Sequence, residues 1–193
     1  MATLSGIGLL LFVAATTPGP NNLVVMRTSM GVGFVRTLPA VLGAVLGGIV
    51  LLAAVIAGAG AVFATWSLAR TLILATGSLY LTWLGVRLML SAREGPADPK
   101  LPIGTAALFG FQFINPKGWV MVLTVVAAMP AADAVHTFFD LLPLFLVIPA
   151  VCLMAWAGLG AVLARPLARP MVRIWTDRVL GALLAASALL LFV

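Results

Sequence analysis

The sequence is poor in the residue types from which catalytic and metal centres are built. Its 193 residues include one cysteine, one histidine and five acids, and charged residues make up only 8%. A lone Cys152 excludes an intrachain disulfide, a dithiol redox pair and a multi-cysteine metal site, and with them the small membrane thiol–disulfide transporters. His136 stands alone, and the five acids fall in linkers, loops or span ends. The expectation is therefore no enzyme, no cofactor and no bound metal. The longest polar stretch runs only from Ser91 to Lys100, so no extramembrane domain is expected. The first apolar stretch lacks a basic region before it and reads as a first span rather than a cleavable signal.

What is present is apolar. The chain is 63% hydrophobic with a mean hydropathy of +1.22, a composition no soluble domain of this size could cover with polar surface. The pI near 11.2 would suggest nucleic acid in a soluble protein. Here the bases punctuate apolar runs, so they read as loop charges that set topology, and no nucleic-acid partner is expected.

Six spans fit, each near the roughly 20 residues a helix needs to cross a bilayer. They cover Leu4 to Met26, Thr37 to about Phe63, Thr71 to Leu90, Ile103 to Met129, Phe138 to Leu163, and Arg173 to Val193. The last must include Trp175 to Asp177 to cross fully. Connections after the first, third and fifth spans hold Arg27, Arg36, Arg87, Arg93, Lys100, Arg165, Arg169, Arg173 and Arg178. The opposite connections hold only Arg70. Lys and Arg gather on the cytoplasmic side, which puts both termini outside the cytoplasm.

The Ser91–Lys100 linker divides a single transmembrane domain, 1–193, into repeats of about 1–91 and 102–193. Three spans is an odd number, so the second repeat would lie inverted relative to the first. A shift of 98 residues superposes Pro116 on Pro18 and Phe109 on Leu11, bringing two helix-breaking motifs into register. These are Thr17-Pro18-Gly19-Pro20-Asn21-Asn22 and Asn115-Pro116-Lys117-Gly118. Broken backbone at membrane depth is tolerated only where it is buried in protein or lines a cavity, and a matched pair of breaks points to a transporter's midplane site.

The chemistry of the breaks supports that. Thr17 and Asn115 are N-cap residues by type, and proline suits a helix's first turn. Two half-helix N-termini could then face one cavity and hold an anion. Lys117 lies about 20 Å of helix from either end of its span, too far to snorkel. With no Asp or Glu in the interior, it is either neutral, paired with a substrate anion, or solvated by carbonyls and water. A substrate carboxylate suits the second option, and its amine would use carbonyls, Asn21, Asn22, Gln112, hydroxyls such as Thr16 and Thr17, or an aromatic face such as Tyr80 or Trp83. Candidate substrate-binding residues are Thr17, Pro18, Gly19, Pro20, Asn21, Asn22, Gln112, Asn115, Pro116 and Lys117. The absent acid favours zwitterions with neutral side chains. Plainer roles are expected elsewhere: Arg87 as a snorkelling anchor, Gly43, Gly47 and Gly48 in close helix packing, and Trp66, Trp83 and Trp175 at the interfaces.

These residues resemble the lysine exporter family of bacterial inner-membrane proteins, including its homoserine/threonine resistance branch. The resemblance covers nearly the whole chain. It rests on Thr17-Pro18-Gly19-Pro20-Asn21 followed by Arg27 and Gly33, on Gly43-Ala-Val-Leu-Gly47, and on Gly77-Ser-Leu-Tyr80-Leu81-Thr-Trp-Leu84-Gly85-Val-Arg87. Phe109-Gly-Phe111 before Asn115-Pro116-Lys117 completes it. It implies an all-α membrane protein of six spans in which helices 1 and 4 are broken at the proline motifs. It also implies export of amino acids or related metabolites, driven by the membrane potential or a proton gradient, with Pro18, Gly19, Pro20, Asn21, Asn115, Pro116 and Lys117 along the substrate path. Relatives often carry an acid just after the second glycine of span two, where this chain has Gly48. The expected partners are a small-molecule substrate, the lipid bilayer and, through glycine-rich faces, a possible second copy of the chain. A passive channel for small zwitterions and a non-transporting structural subunit are the alternative readings.

Overall fold

A computed structural model describes residues 3–91, 104–129, 133–164 and 169–189, and among them every element is helical. The helices α1 (Leu4–Thr16) and α2 (Pro20–Val32) meet at the first break. Then come α3 (Phe34–Ala54), a π turn at Val55–Ala59, α4 (Gly60–Thr65) and α5 (Ser67–Ser91). In the second half α6 (Thr105–Ile114) and α7 (Pro116–Ala128) meet at the second break, followed by α8 (Ala134–Leu163) and α9 (Pro170–Leu189). Each half thus runs as a bent pair and two long helical spans. The bends are 53° between α1 and α2 and 69° between α6 and α7.

Local chemistry sets the boundaries. Gly33 closes α2 and opens α3 at φ 87°, a conformation that side-chain-bearing residues rarely adopt, and Gly58 in the π turn sits at φ 116°. Asp133 caps α8 by accepting hydrogen bonds from the backbone N–H groups of Val135 and His136, both at 2.9 Å. The segments Phe34–Thr65, Arg70–Leu90 and Ala134–Leu163 are long and apolar enough to cross a membrane, and each bent pair qualifies when taken as one span. The α9 helix is long enough but carries Arg173, Asp177 and Arg178 in its first three turns.

Glycines let these helices touch. A Cβ on Gly85 would fall on the Gly181 carbonyl, and one on Gly181 on the Gly85 carbonyl, which seats α5 against α9. In the same way Gly43 and Gly47 admit α6 to α3, and Gly160 of α8 admits the Met26 carbonyl of α2. The expected packing role holds for Gly43 and Gly47, whereas Gly48 faces open space. Two apolar clusters result. One joins α2, α3, α5, α6, α8 and α9 around Val24, Val25, Leu84, Leu88, Leu108 and Leu184; the other joins α1, α3, α7 and α8 around Leu11, Leu51, Val122 and Phe145. The breaks lie between them. Outward, side chains such as Leu9, Val35, Leu79 and Val162 are 64 to 73% exposed, the surface a lipid solvent would cover.

Some expected boundaries move. Helix α8 begins at Ala134 rather than Phe138, which puts His136 in a helix's first turn instead of a loop, and α9 begins at Pro170 rather than Arg173. The end of the sixth expected span, 190–193, lies outside the described residues, as do most of the linker and Arg93 and Lys100.

Candidate functional site at the two helix breaks

The first break is longer than the sequence suggests. Thr17 is the C-cap of α1, not the N-cap of the next helix; Gly19 takes that place and Pro20 is the first helical residue of α2. Pro18 cannot start α2 because Gly19 is still extended, at φ −164°. At the second break Asn115 is the N-cap and Pro116 the first residue of α7, as its type predicts, although its side chain makes no capping bond. The structurally matched prolines are therefore Pro20 and Pro116, an offset of 96 rather than 98.

Between them lies Lys117. Its ammonium donates to the Thr17 carbonyl oxygen at 2.6 Å, across 100 residues of sequence. Of the partners expected for this lysine, a carbonyl oxygen is the one in contact. The partner is well chosen: Thr17 ends α1, where unpaired carbonyls and the negative end of the helix dipole gather. The other carbonyls there are also occupied. The Asn22 amide donates to the oxygens of Ala15 and Thr17, each at 2.9 Å. Trp156 Nε1 donates to Thr16 O at 3.3 Å, the Thr17 hydroxyl donates to Val13 O at 2.6 Å, and Thr16 Oγ1 lies 3.2 Å from Cys152 Sγ. Gly19 makes room for the lysine. A Cβ there would stand 2.7 Å from Lys117 Cδ and 2.8 Å from Nζ.

Polar groups remain unspent around this crossing. Neither α2 nor α7 receives a side-chain cap at its N-terminus. The amide oxygens of Asn21 and Asn115 are buried with no hydrogen-bond partner. Three cavities converge on Lys117. One of about 50 Å³ is lined by Asn21, Asn22, Gln112, Asn115, Gly118 and Leu153 among others. A second, about 320 Å³, is bounded by Thr17, Pro18, Gly19, Pro20, Leu81, Asn115, Pro116, Val120 and Ser187. The third, about 530 Å³, opens between α1 and α7 along Leu9, Leu10, Val13, Val120, Met121 and Thr124. All ten sequence-expected residues thus stand around one crossing. The smallest cavity has room for about a water or two; the 320 Å³ cavity is large enough for a small organic zwitterion.

Sequence reasoning missed one buried charge pair. Arg27, counted as a loop base, lies within α2, and Asp177, counted as a span-end acid, lies within α9. They are 7% and 2% exposed. Arg27 Nε donates to Asp177 Oδ1 at 2.5 Å and Nη2 to Oδ2 at 3.2 Å, a bidentate pair. The interior therefore does hold an acid, though not at the breaks. Opposite charges flanked by apolar runs in two different spans were the available signal. Arg87 sits 5.1 Å over the Trp83 ring and Arg178 5.5 Å over Trp175. Among the described residues no cluster of three or more His, Cys, Asp or Glu could hold a metal.

A sequence profile for the LysE type translocator family matches residues 12–193. No curated protein and no solved structure matches the chain.

Proposed function

The chain belongs to the LysE type translocator family, and on that premise we propose that it exports zwitterionic amino acids with neutral side chains, or close chemical relatives, by alternating access. Members of this family are membrane exporters of amino acids or related compounds, not enzymes. The observation that carries the finer reading is the meeting of Lys117 with two uncapped half-helix N-termini and two unpartnered amide oxygens in one set of cavities.

A substrate carboxylate competes with the Thr17 carbonyl for the Lys117 ammonium and takes the free N–H groups at the starts of α2 and α7. Its ammonium turns to Asn21 Oδ1 and Asn115 Oδ1, acceptors that otherwise leave desolvated oxygens unsatisfied. The apolar walls at Leu81 and Val120 suit a neutral side chain. No carboxylate lines these cavities, so a second positive charge on the substrate would find no counter-ion. Gln112, Pro18 and Pro116 complete the path, with Pro18 keeping the backbone open for two residues before α2 begins.

Transport follows from the duplicated architecture. The two bent pairs are the elements that change, and the repeats rock about the crossing. The distribution of bases orients the repeats oppositely, with both termini outside the cytoplasm and the protein in the bacterial inner membrane. In proteoliposomes preloaded with one unlabelled amino acid, a labelled neutral one should enter by counterflow. Lys117→Ala and Pro18→Ala should insert normally yet give no flux. Near-normal flux in either variant refutes the site; flux without counterflow makes the protein a channel.

A further inference from the structure

The Arg27–Asp177 pair takes no part in the site just described, and its place in the fold is specific. It ties α2, the half-helix freed by the first break, to α9, and among the described residues it is the only ion pair between helices. At the same level Gly160 admits the Met26 carbonyl and the Ser29 Cβ, so α2 lies flush against α8 as well. The hydroxyls of Thr28 and Ser29 are buried there without hydrogen-bond partners. One turn before Asp177, the Nε of Arg173 is buried and unpartnered too. At the other end of the bent pairs, α1 and α7 stand apart around the 530 Å³ cavity. The molecule is thus closely packed where α2, α8 and α9 meet, whereas α1 and α7 leave between them a groove walled by exposed apolar side chains such as Leu9 and Val13.

Stability does not explain the pair. Removing two charges from solvent offsets most of their attraction, and an apolar pair of similar volume commonly does as well. Ionisable groups inside a membrane protein are costly to bury and commonly mark functional elements. The rest of the seam is apolar packing of Val24, Val25 and Met26 against α8 and α9, so the pair is its one charged contact among the described residues.

We propose that Arg27 and Asp177 form the latch of the closed end, a pair of positioning residues that holds α2 on α8 and α9 and must part for substrate to enter from the side on which α2 ends. By the charge distribution that side is the cytoplasm. This rests on the transport reading above. The unpartnered hydroxyls of Thr28 and Ser29 then have a use: they meet water once α2 moves away.

The test uses two reporters in a Cys152→Ser background. Ser29→Cys places a thiol in the α2–α8 seam, and Thr124→Cys places one in the α1–α7 cavity. Each is labelled with a membrane-impermeant maleimide from its own side in oriented vesicles. In Asp177→Asn, labelling of Cys at 29 should rise at least about tenfold, while labelling of Cys at 124 falls. A structure loosened throughout would raise both, and that result overturns the proposal. Arg27→Lys keeps the charges but loses the fork, so it should shift both reporters the same way by less; it also serves if Asp177→Asn fails to accumulate. Unchanged labelling in the variants, beside normal wild-type counterflow, removes the latch and leaves the transporter. Absent wild-type counterflow removes the transport reading and the latch with it.

Discussion

Gly19→Ala probes the Lys117 crossing without touching the lysine. The backbone of Gly19 is extended, at φ −164°, so alanine fits it without strain. Only the side chain finds an obstacle: its Cβ would lie 2.7 Å from Lys117 Cδ and 2.8 Å from Nζ. Ordinary carbon contacts need about 3.5 to 4.0 Å, so the lysine must retreat by about 1 Å. A retreat along the bond stretches its 2.6 Å contact with the Thr17 carbonyl toward about 3.6 Å, beyond hydrogen-bond length. A bond made by a charged group contributes about 1.5–3 kcal/mol. A substrate carboxylate makes a bond of the same kind to that ammonium, so moving the ammonium out of the cavity lowers substrate affinity by up to about 10- to 150-fold, less what the lost competition from the Thr17 carbonyl returns. The assay is substrate binding to purified protein, alongside counterflow in proteoliposomes. Lys117→Met should show a comparable loss, and the double variant should be no worse than Lys117→Met alone, because both act through one group. Wild-type affinity in Gly19→Ala, or losses that add in the double variant, would refute the reasoning.

Neighbouring glycines on α3 make a second contrast. Gly47→Ala brings a Cβ to 2.7 Å from the Phe109 carbonyl and Gln112 Cγ and should destabilise the fold by about 1–3 kcal/mol; Gly48→Ala meets nothing within 4 Å and should leave thermal stability in detergent unchanged. At the start of α8, the backbone N–H and the side chain of His136 hold the Asp133 carboxyl below the usual carboxylate range. Its folded pKa lies below its unfolded one, so the cap is at full strength above about 3.9 and fades as the pH drops below that toward the lowered value. Amide protection at Val135 and His136 should fall over that acid window and lose the dependence in Asp133→Asn. Alkaline phosphatase fused at Val193 should be active, and activity of a cytoplasmic reporter there instead would overturn the orientation.

Much of the architecture is legible in the sequence because a membrane solvent leaves few choices. Backbone polar groups must be paired within a helix, so long apolar runs become helices, and motifs such as Pro18-Gly19-Pro20 and Asn115-Pro116 stand out as places where one is broken. The residues of the crossing were legible for the same reason: Lys117 has no nearby edge to reach. What stayed hidden depends on distance in three dimensions. Thr17 has the chemistry of an N-cap, but Pro18 and Gly19 hold the chain extended for two more residues, which makes Thr17 the end of α1 and its carbonyl the lysine's partner. Arg27 and Asp177 each resemble a boundary charge when read locally; 150 residues apart, they neutralise each other only once α2 lies on α9. The same pairing explains how α9 buries an acid in a span that composition alone marks as poor.

In the proposed mechanism the two breaks form one amino-acid site worked from alternate sides. Counterflow in proteoliposomes tests it most directly, with unlabelled amino acids preloaded one at a time and uptake of a labelled neutral one followed. Alternating access at this site should give saturable uptake that requires the preloaded substrate and vanishes in Lys117→Ala. Uptake that needs no preloaded substrate, or that persists in Lys117→Ala, would contradict it.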